Sequence, residues 1–144
     1  MIAIGSDHAG FKLKKDLIAA LRERNRDVAD LGCPDPRPFD YPDVARVVAA
    51  GVAAGTYERG VLICSSGIGM SIAANRFRGV RAALCLDELM AQLSRQHNDS
   101  NVLVLGARFT PLDKALMILD MWLSTGFEGG RHLRRVKKIE GGDV

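Results

Sequence analysis

The sequence predicts a doubly wound α/β fold, a three-layer α/β/α sandwich with a five-stranded parallel sheet between two layers of helices. Three observations predict it. Five short apolar runs alternate with amphipathic stretches of helical period, the pattern of successive β–α units. Neither an internal repeat nor a linker interrupts that alternation. The 144 residues are enough for one sizeable core and too few for two ordinary ones. A single unit over 1–144 is therefore expected, with a basic tail from about 126 onward.

The elements follow in order. Met1 to Gly5 reads as the first strand. Phe11 to Arg24 follows as a helix, with Leu13, Leu17, Ile18 and Leu21 on one face. Asp27 to Leu31 is a second, short strand, and a loop then carries Pro34, Pro36, Pro38 and Pro42. Asp43 to Ala54 is helical through Val44, Val47, Val48 and Val52. Gly60 to Cys64 is the third strand, with a short helix, Gly67 to Asn75, behind a glycine turn. Val80 to Leu86 is the fourth strand and Asp87 to Gln96 its helix. Asn101 to Leu105 is the fifth strand. Thr110, as N-cap, and Pro111, at the first helical position, open a helix that runs to about Thr125 and stops at Gly126. Arg131 to Lys138 is a basic tail.

Composition narrows the function. Apolar residues are 47% and charged residues 26%, the balance of a water-soluble globular chain. A formal charge of +3 without a concentrated basic stripe gives no reason to expect a nucleic-acid partner. No apolar run reaches the roughly 18 residues of a membrane span, and the amino end reads directly into a strand without a leader. The expectation is a cytoplasmic protein without membrane partners. Cys33, Cys64 and Cys85 are odd in number and widely spaced, which suits free thiols in a reducing compartment. Cys85, inside an apolar run, and Cys33, at the head of the proline-rich loop, read as small buried hydrophobes.

In doubly wound sheets, ligands bind at the carboxyl ends of the strands, where strand order reverses. With the common order 2-1-3-4-5, that point lies between the first and third strands. Ser6-Asp7-His8-Ala9-Gly10 follows the first strand, and Cys64-Ser65-Ser66-Gly67-Ile68-Gly69-Met70-Ser71 follows the third. Together they bring a carboxylate, an imidazole, a thiol and several hydroxyls to one crevice. The glycines let consecutive N–H groups point inward at a helix N-terminus, which suits an anion. The anion is either a phosphate or an enediolate formed when the Cys64 thiolate removes a proton beside a sugar carbonyl. Taken alone, the loop equally describes a strand-end hydrophobe and a tight turn. A dinucleotide fingerprint is a further reading, with Gly67-Ile68-Gly69 as its start and Asp87 as ribose contact. Ile72 fills the place of its third glycine, where only a tiny side chain packs.

His8, His97 and His132 are the only histidines. His97 ends the fourth helix, which carries it about 15 Å from the carboxyl end of the sheet at 1.5 Å per residue. A catalytic His97 should therefore serve a neighbouring subunit's crevice, which predicts a homodimer with shared sites. Arg131 and Arg135 are four apart, so a helix would set both guanidiniums on one face, suited to a phosphate. The same run also fits a solvated basic terminus. No His-Glu-x-x-His or clustered carboxylate set occurs. Neither a metal nor a cofactor is expected, and proton transfer through an enediol is favoured over a hydride shift.

These segments resemble the type B ribose-5-phosphate isomerases, whose family also holds allose- and galactose-6-phosphate isomerases. Ile4 to Gly10, Asp40-Tyr41-Pro42, Leu62 to Asn75, Ser94 to Asn98 and Glu128 to His132 carry the resemblance over nearly the whole chain. It implies a Rossmann- or flavodoxin-like sandwich and a homodimer, or a pair of such dimers. It also implies cofactor-free interconversion of ribose 5-phosphate and ribulose 5-phosphate, with another sugar phosphate (allose or galactose 6-phosphate, or a tetrulose phosphate) as alternative. By position, Cys64 would move the proton between C1 and C2, and Ser66 would serve the two oxygens. Gly67, Ile68, Gly69, Met70 and Ser71 would form the anion hole. His97 from a partner would open the furanose ring, with Asp7 and Asn98 holding sugar hydroxyls. His8, Arg108, Arg131 and Arg135 would bind the phosphate, and Tyr41 would line the pocket. Members that use cysteine typically follow it with Gly-Thr; here Ser65-Ser66 follow, keeping a hydroxyl but adding bulk. Other members use a glutamate in the next helix, and Ser71 to Asn75 holds no acid.

Overall fold

The computed structural model describes residues 1–142. β1 (Ile2–Ser6), β3 (Arg59–Cys64) and β5 (Val102–Gly106) form the middle of an all-parallel sheet, flanked by the short edge strands β2 (Val28–Asp30) and β4 (Ala82–Leu84). α1 (Phe11–Glu23), α2 (Tyr41–Ala53), α3 (Ile68–Ala74), α4 (Glu88–Asn98) and α5 (Leu112–Ser124) connect or follow the strands, and α6 (Arg131–Ile139) closes the chain. β1 and β5 are buried along their whole length, and β3 from Gly60 onward, as strands covered on both faces must be.

Strand order is β2-β1-β3-β5-β4, which corrects the expected 2-1-3-4-5. The chain passes over the β5 position to reach β4 and then turns back. Right-handed crossovers put a helix on one face when the chain steps one way and on the other face when it steps back. The reversal at β4 therefore moves α4 away from α2 and α3 and onto the face of α1 and α5. The two cores record this. Ile2, Ile4, Val61, Ile63, Leu103 and Leu105 pack with Leu17, Leu21, Ala91, Ile118 and Trp122 from α1, α4 and α5. The alternate residues Ala3, Leu62, Cys64, Val102 and Val104 pack with Val44, Val48, Met70 and Ala74 from α2 and α3.

Element boundaries also differ from expectation, most of all at the fourth strand, read as Val80 to Leu86 and formed only by Ala82–Leu84. α2 starts at Tyr41, with Pro42 inside its first turn, where the missing N–H costs nothing. Thr110 does not cap α5: Pro111 is the N-cap residue, and the Thr110 hydroxyl is buried without a partner among the described residues. The basic tail is helical from Arg131 to Ile139, with His132 and Val136 turned inward. No described helix is long and apolar enough to cross a membrane.

Candidate active site

Three loops meet at the carboxyl end of the sheet. From β1, Asp7 donates its N–H to the Ile63 carbonyl at 3.2 Å. From β5, Ala107 donates to the Cys64 carbonyl at 2.8 Å and Arg108 to the Ser65 carbonyl at 2.9 Å. The Cys64 loop is thus laced on both sides. Arg108 is beside it because β5, not β4, neighbours β3.

Cys64 ends β3 and is 5% exposed. The Gly67 N–H donates to its Sγ at 3.2 Å. That contact depends on the Gly67 backbone, which has φ +80°, and a Cβ there would lie 2.5 Å from a Leu84 methyl and 3.2 Å from the Leu105 carbonyl. Glycine alone meets both demands. Ser66 Oγ accepts the Ile68 N–H at 3.2 Å, and Ser71 Oγ donates to the Ile68 carbonyl at 2.9 Å. The Gly69 and Met70 N–H groups, in the first turn of α3, have no acceptor among the described residues. They are the donors left for an oxyanion.

The walls come from α1 and α2. One oxygen of the buried Asp7 carboxylate accepts the Ala9 and Gly10 N–H groups at 3.0 and 3.1 Å, which pins the loop ahead of α1. His8 Nδ1 accepts the Phe39 N–H at 3.1 Å, so its Nε2 carries the proton in the neutral ring. The Tyr41 ring lies over Gly69, where a Cβ would stand 2.6 Å from two ring carbons.

The remaining candidates lie elsewhere. α4 runs from the carboxyl end of β4 toward the amino end of β5, which leaves His97 and Asn98 at the opposite end of the sheet from Cys64. α6 packs against α4 and keeps Arg131 and Arg135 exposed and without ion pairs among the described residues. The fold brings together Asp7, His8, Tyr41, Cys64, Ser66, Gly67 to Ser71 and Arg108. It gathers His97, Asn98, Arg131 and Arg135 in a second place.

That second place holds residues the motif reading left without a role. His132 stacks on His97 at 4.2 Å between ring centroids, 11° from parallel, and its Nε2 lies 3.5 Å from a Glu128 oxygen. Burial first, then the His97 and Arg131 charges, lower the His132 pKa from its usual 6.5. The i,i+4 spacing of Glu128 and His132 was the available signal. The ligand atoms of His97, Glu128 and His132 lie within 4.8 Å of one another, close enough to consider a metal. The stacked rings, however, aim their in-plane lone pairs side by side rather than at one point.

The other cysteines do no such work. Cys85 lies in the core, and burial pushes its thiol up to about 11. Cys33 is fully buried, 4.0 Å from the Ser6 hydroxyl. Asp87, the proposed ribose contact of a dinucleotide site, caps α4 by accepting the Met90 N–H at 2.7 Å.

Comparison with known proteins gives one consistent result. A family model described as ribose/galactose isomerase matches residues 2–139. Ribose-5-phosphate isomerase B of Escherichia coli K12 is 51% identical over 138 residues, covering 96% of this chain and 93% of its own. The structure of ribose-5-phosphate isomerase B from Clostridium thermocellum superposes with a TM-score of 0.96 at 48% identity, over 97% of this chain and 95% of that one. The Mycoplasma genitalium ribose-5-phosphate isomerase B, solved with bound ribulose 5-phosphate, gives 0.93 at 43% identity, over 97% and 93%.

Proposed function

The chain belongs to the ribose/galactose isomerase family, and from that premise we propose that it interconverts ribose 5-phosphate and ribulose 5-phosphate through a cis-enediolate, with Cys64 as the base. The observation that carries this reading is the Gly67 N–H held on Cys64 Sγ, beside the Gly69 and Met70 N–H groups, which have no acceptor among the described residues. The thiolate takes the proton from C2 of the open-chain aldose and returns it to C1. The Gly67–Ser71 turn stabilises the oxyanion that develops between, and Ser66 moves the proton between the two oxygens. Asp7, whose second carboxylate oxygen accepts no hydrogen bond among the described residues, holds sugar hydroxyls. Tyr41 lines the pocket. The names of the relatives favour the pentose phosphate over a six-carbon one.

His8 and Arg108 supply two phosphate contacts. Arg131 and Arg135 supply the others from a second copy of the chain, with His97 and Asn98 for ring opening. Support comes from the distance of these four residues from their own Cys64, and from apolar side chains exposed on and near α3 and α4: Ile68, Ile72, Leu86, Leu89 and Leu93. Apolar side chains exposed in this number suit an interaction surface. Cys64→Ala should lower kcat by at least about 10²–10⁴-fold while ribose 5-phosphate still binds in calorimetry. A kcat within twofold of the parent would refute Cys64 as base. Solvent deuterium should appear at C2 of ribose 5-phosphate formed from ribulose 5-phosphate; complete retention of substrate hydrogen would count against the enediolate.

A further inference from the structure

α6 is held in place by something other than a core. It has nine residues, of which only His132 and Val136 are buried. Burying one valine contributes about 1.5–3 kcal/mol, and helices shorter than about 12 residues are marginal by themselves. Arg131, Arg134, Arg135, Lys137 and Lys138 all lie within this segment and repel one another at i,i+3 and i,i+4. A helix with this composition needs polar anchors. At its amino end, the Glu128 N–H donates to the Gln96 carbonyl at 3.1 Å and His132 stacks on His97.

At its carboxyl end stands Glu140. One of its oxygens accepts Arg81 Nη1 at 2.7 Å, and the other accepts the Gly79 N–H at 2.9 Å. Its backbone carbonyl accepts Arg78 Nη2 at 3.0 Å. Arg81 also donates through Nε to the Asn98 and Asp99 carbonyls, both at 3.0 Å, and through Nη2 to the Asp99 carboxylate at 3.4 Å. Arg81 is 17% exposed and Glu140 26%, so the pair is partly withdrawn from water, unlike the exposed pairs that contribute little. One guanidinium therefore joins the end of α6 to the end of α4, at the residues that follow His97.

We propose that Arg81 and Glu140 are positioning residues, a clamp that locks α6 to α4 so that Arg131 and Arg135 reach the phosphate of the sugar as one rigid unit. The inference rests on the isomerase reading above and adds to it two residues that touch no substrate. Releasing the clamp frees α6 to pivot about its amino end. Phosphate binding then pays the ordering entropy, while the chemistry at Cys64 is untouched. The cost falls on ground and transition states alike, the signature of uniform binding loss.

The test is steady-state kinetics with ribose 5-phosphate, with inorganic phosphate as competitive inhibitor. In Glu140→Ala, KM and the inhibition constant of phosphate should rise together, about tenfold for a loss near 1.4 kcal/mol, with kcat within twofold of the parent. Glu140→Gln, which keeps the shape and one acceptor, should fall between the two. Arg81→Lys, which keeps the charge but not the fork, should behave like Glu140→Ala. A lowered kcat at unchanged KM would overturn the clamp. So would an unchanged KM in Glu140→Ala when Arg131→Ala raises it. An unchanged KM in Arg131→Ala would overturn the underlying phosphate assignment instead.

Discussion

Gly69 and Tyr41 show how much of the site hangs on one missing methyl group. A Cβ at Gly69 would enter the Tyr41 ring at 2.6 Å. Gly69→Ala should therefore displace the ring and cost about 1–3 kcal/mol of stability. In a Tyr41→Ala background the same change should cost far less. A double-mutant cycle by urea denaturation measures the coupling, and additive effects would show that ring and turn are independent. Gly67 is constrained differently, by its positive φ and by the Leu105 backbone, so no second substitution should rescue Gly67→Ala.

The seam between α4 and α6 is where pH should act among the elements. His132 has a folded pKa below its usual 6.5, so the folded state binds fewer protons than the unfolded chain as pH falls through 6.5. Stability is lost over that interval, and the loss is complete below the folded pKa. Thermal melts from pH 7.5 to 5 should show a falling Tm that His132→Phe, which retains a stacking ring, flattens. An unchanged slope would place the titration elsewhere. Glu140 has the opposite logic. Burial raises its pKa, but the Gly79 N–H and the Arg81 guanidinium outweigh burial and hold the carboxyl below 4.5. Its contribution is present above that value and disappears as pH falls through the lowered one. The other end of α4 depends on its cap. Asp87→Ala should cost about 0.5–2 kcal/mol in denaturation with little change in kcat/KM. A large KM effect would reopen the ligand-binding reading of that residue.

For the whole molecule, the decisive expectation is that one chain is an incomplete enzyme. Cys64→Ala and His97→Asn variants should each be inactive. Mixed and reassociated, they should recover about a quarter of the parent activity, because half the dimers are hybrids and each hybrid has one intact site. No recovery, with hybrids verified by mass spectrometry, would place both residues in one chain's crevice. Leu89→Asp, at an exposed apolar side chain of α4, should lower activity and shift the chain to a monomer in light scattering together. Activity retained in a monomer would refute the shared site.

Much of this is legible in the amino-acid sequence. The alternating runs name all five strands, and the segments just after Gly5 and Ile63 fall at the crevice because parallel strands end on one side. The length of α4 was enough to separate His97 from Cys64, since helix rise is a local property. The pairing of β5 with β3 was not legible. Strand order is a long-range choice, and short apolar runs such as 82–84 and 102–106 do not carry their neighbours' identity. Only the folded sheet decided that β4 is a three-residue edge strand and β5 is central. That choice brought Arg108 to Cys64 and moved α4 to the face of α1 and α5. Likewise Arg81 and Glu140, 59 residues apart, became a pair only when the turn after α3 and the end of α6 came together in space. Local periodicity and turn chemistry are written in the sequence; which distant segments share a surface is determined by how the whole chain buries its apolar area.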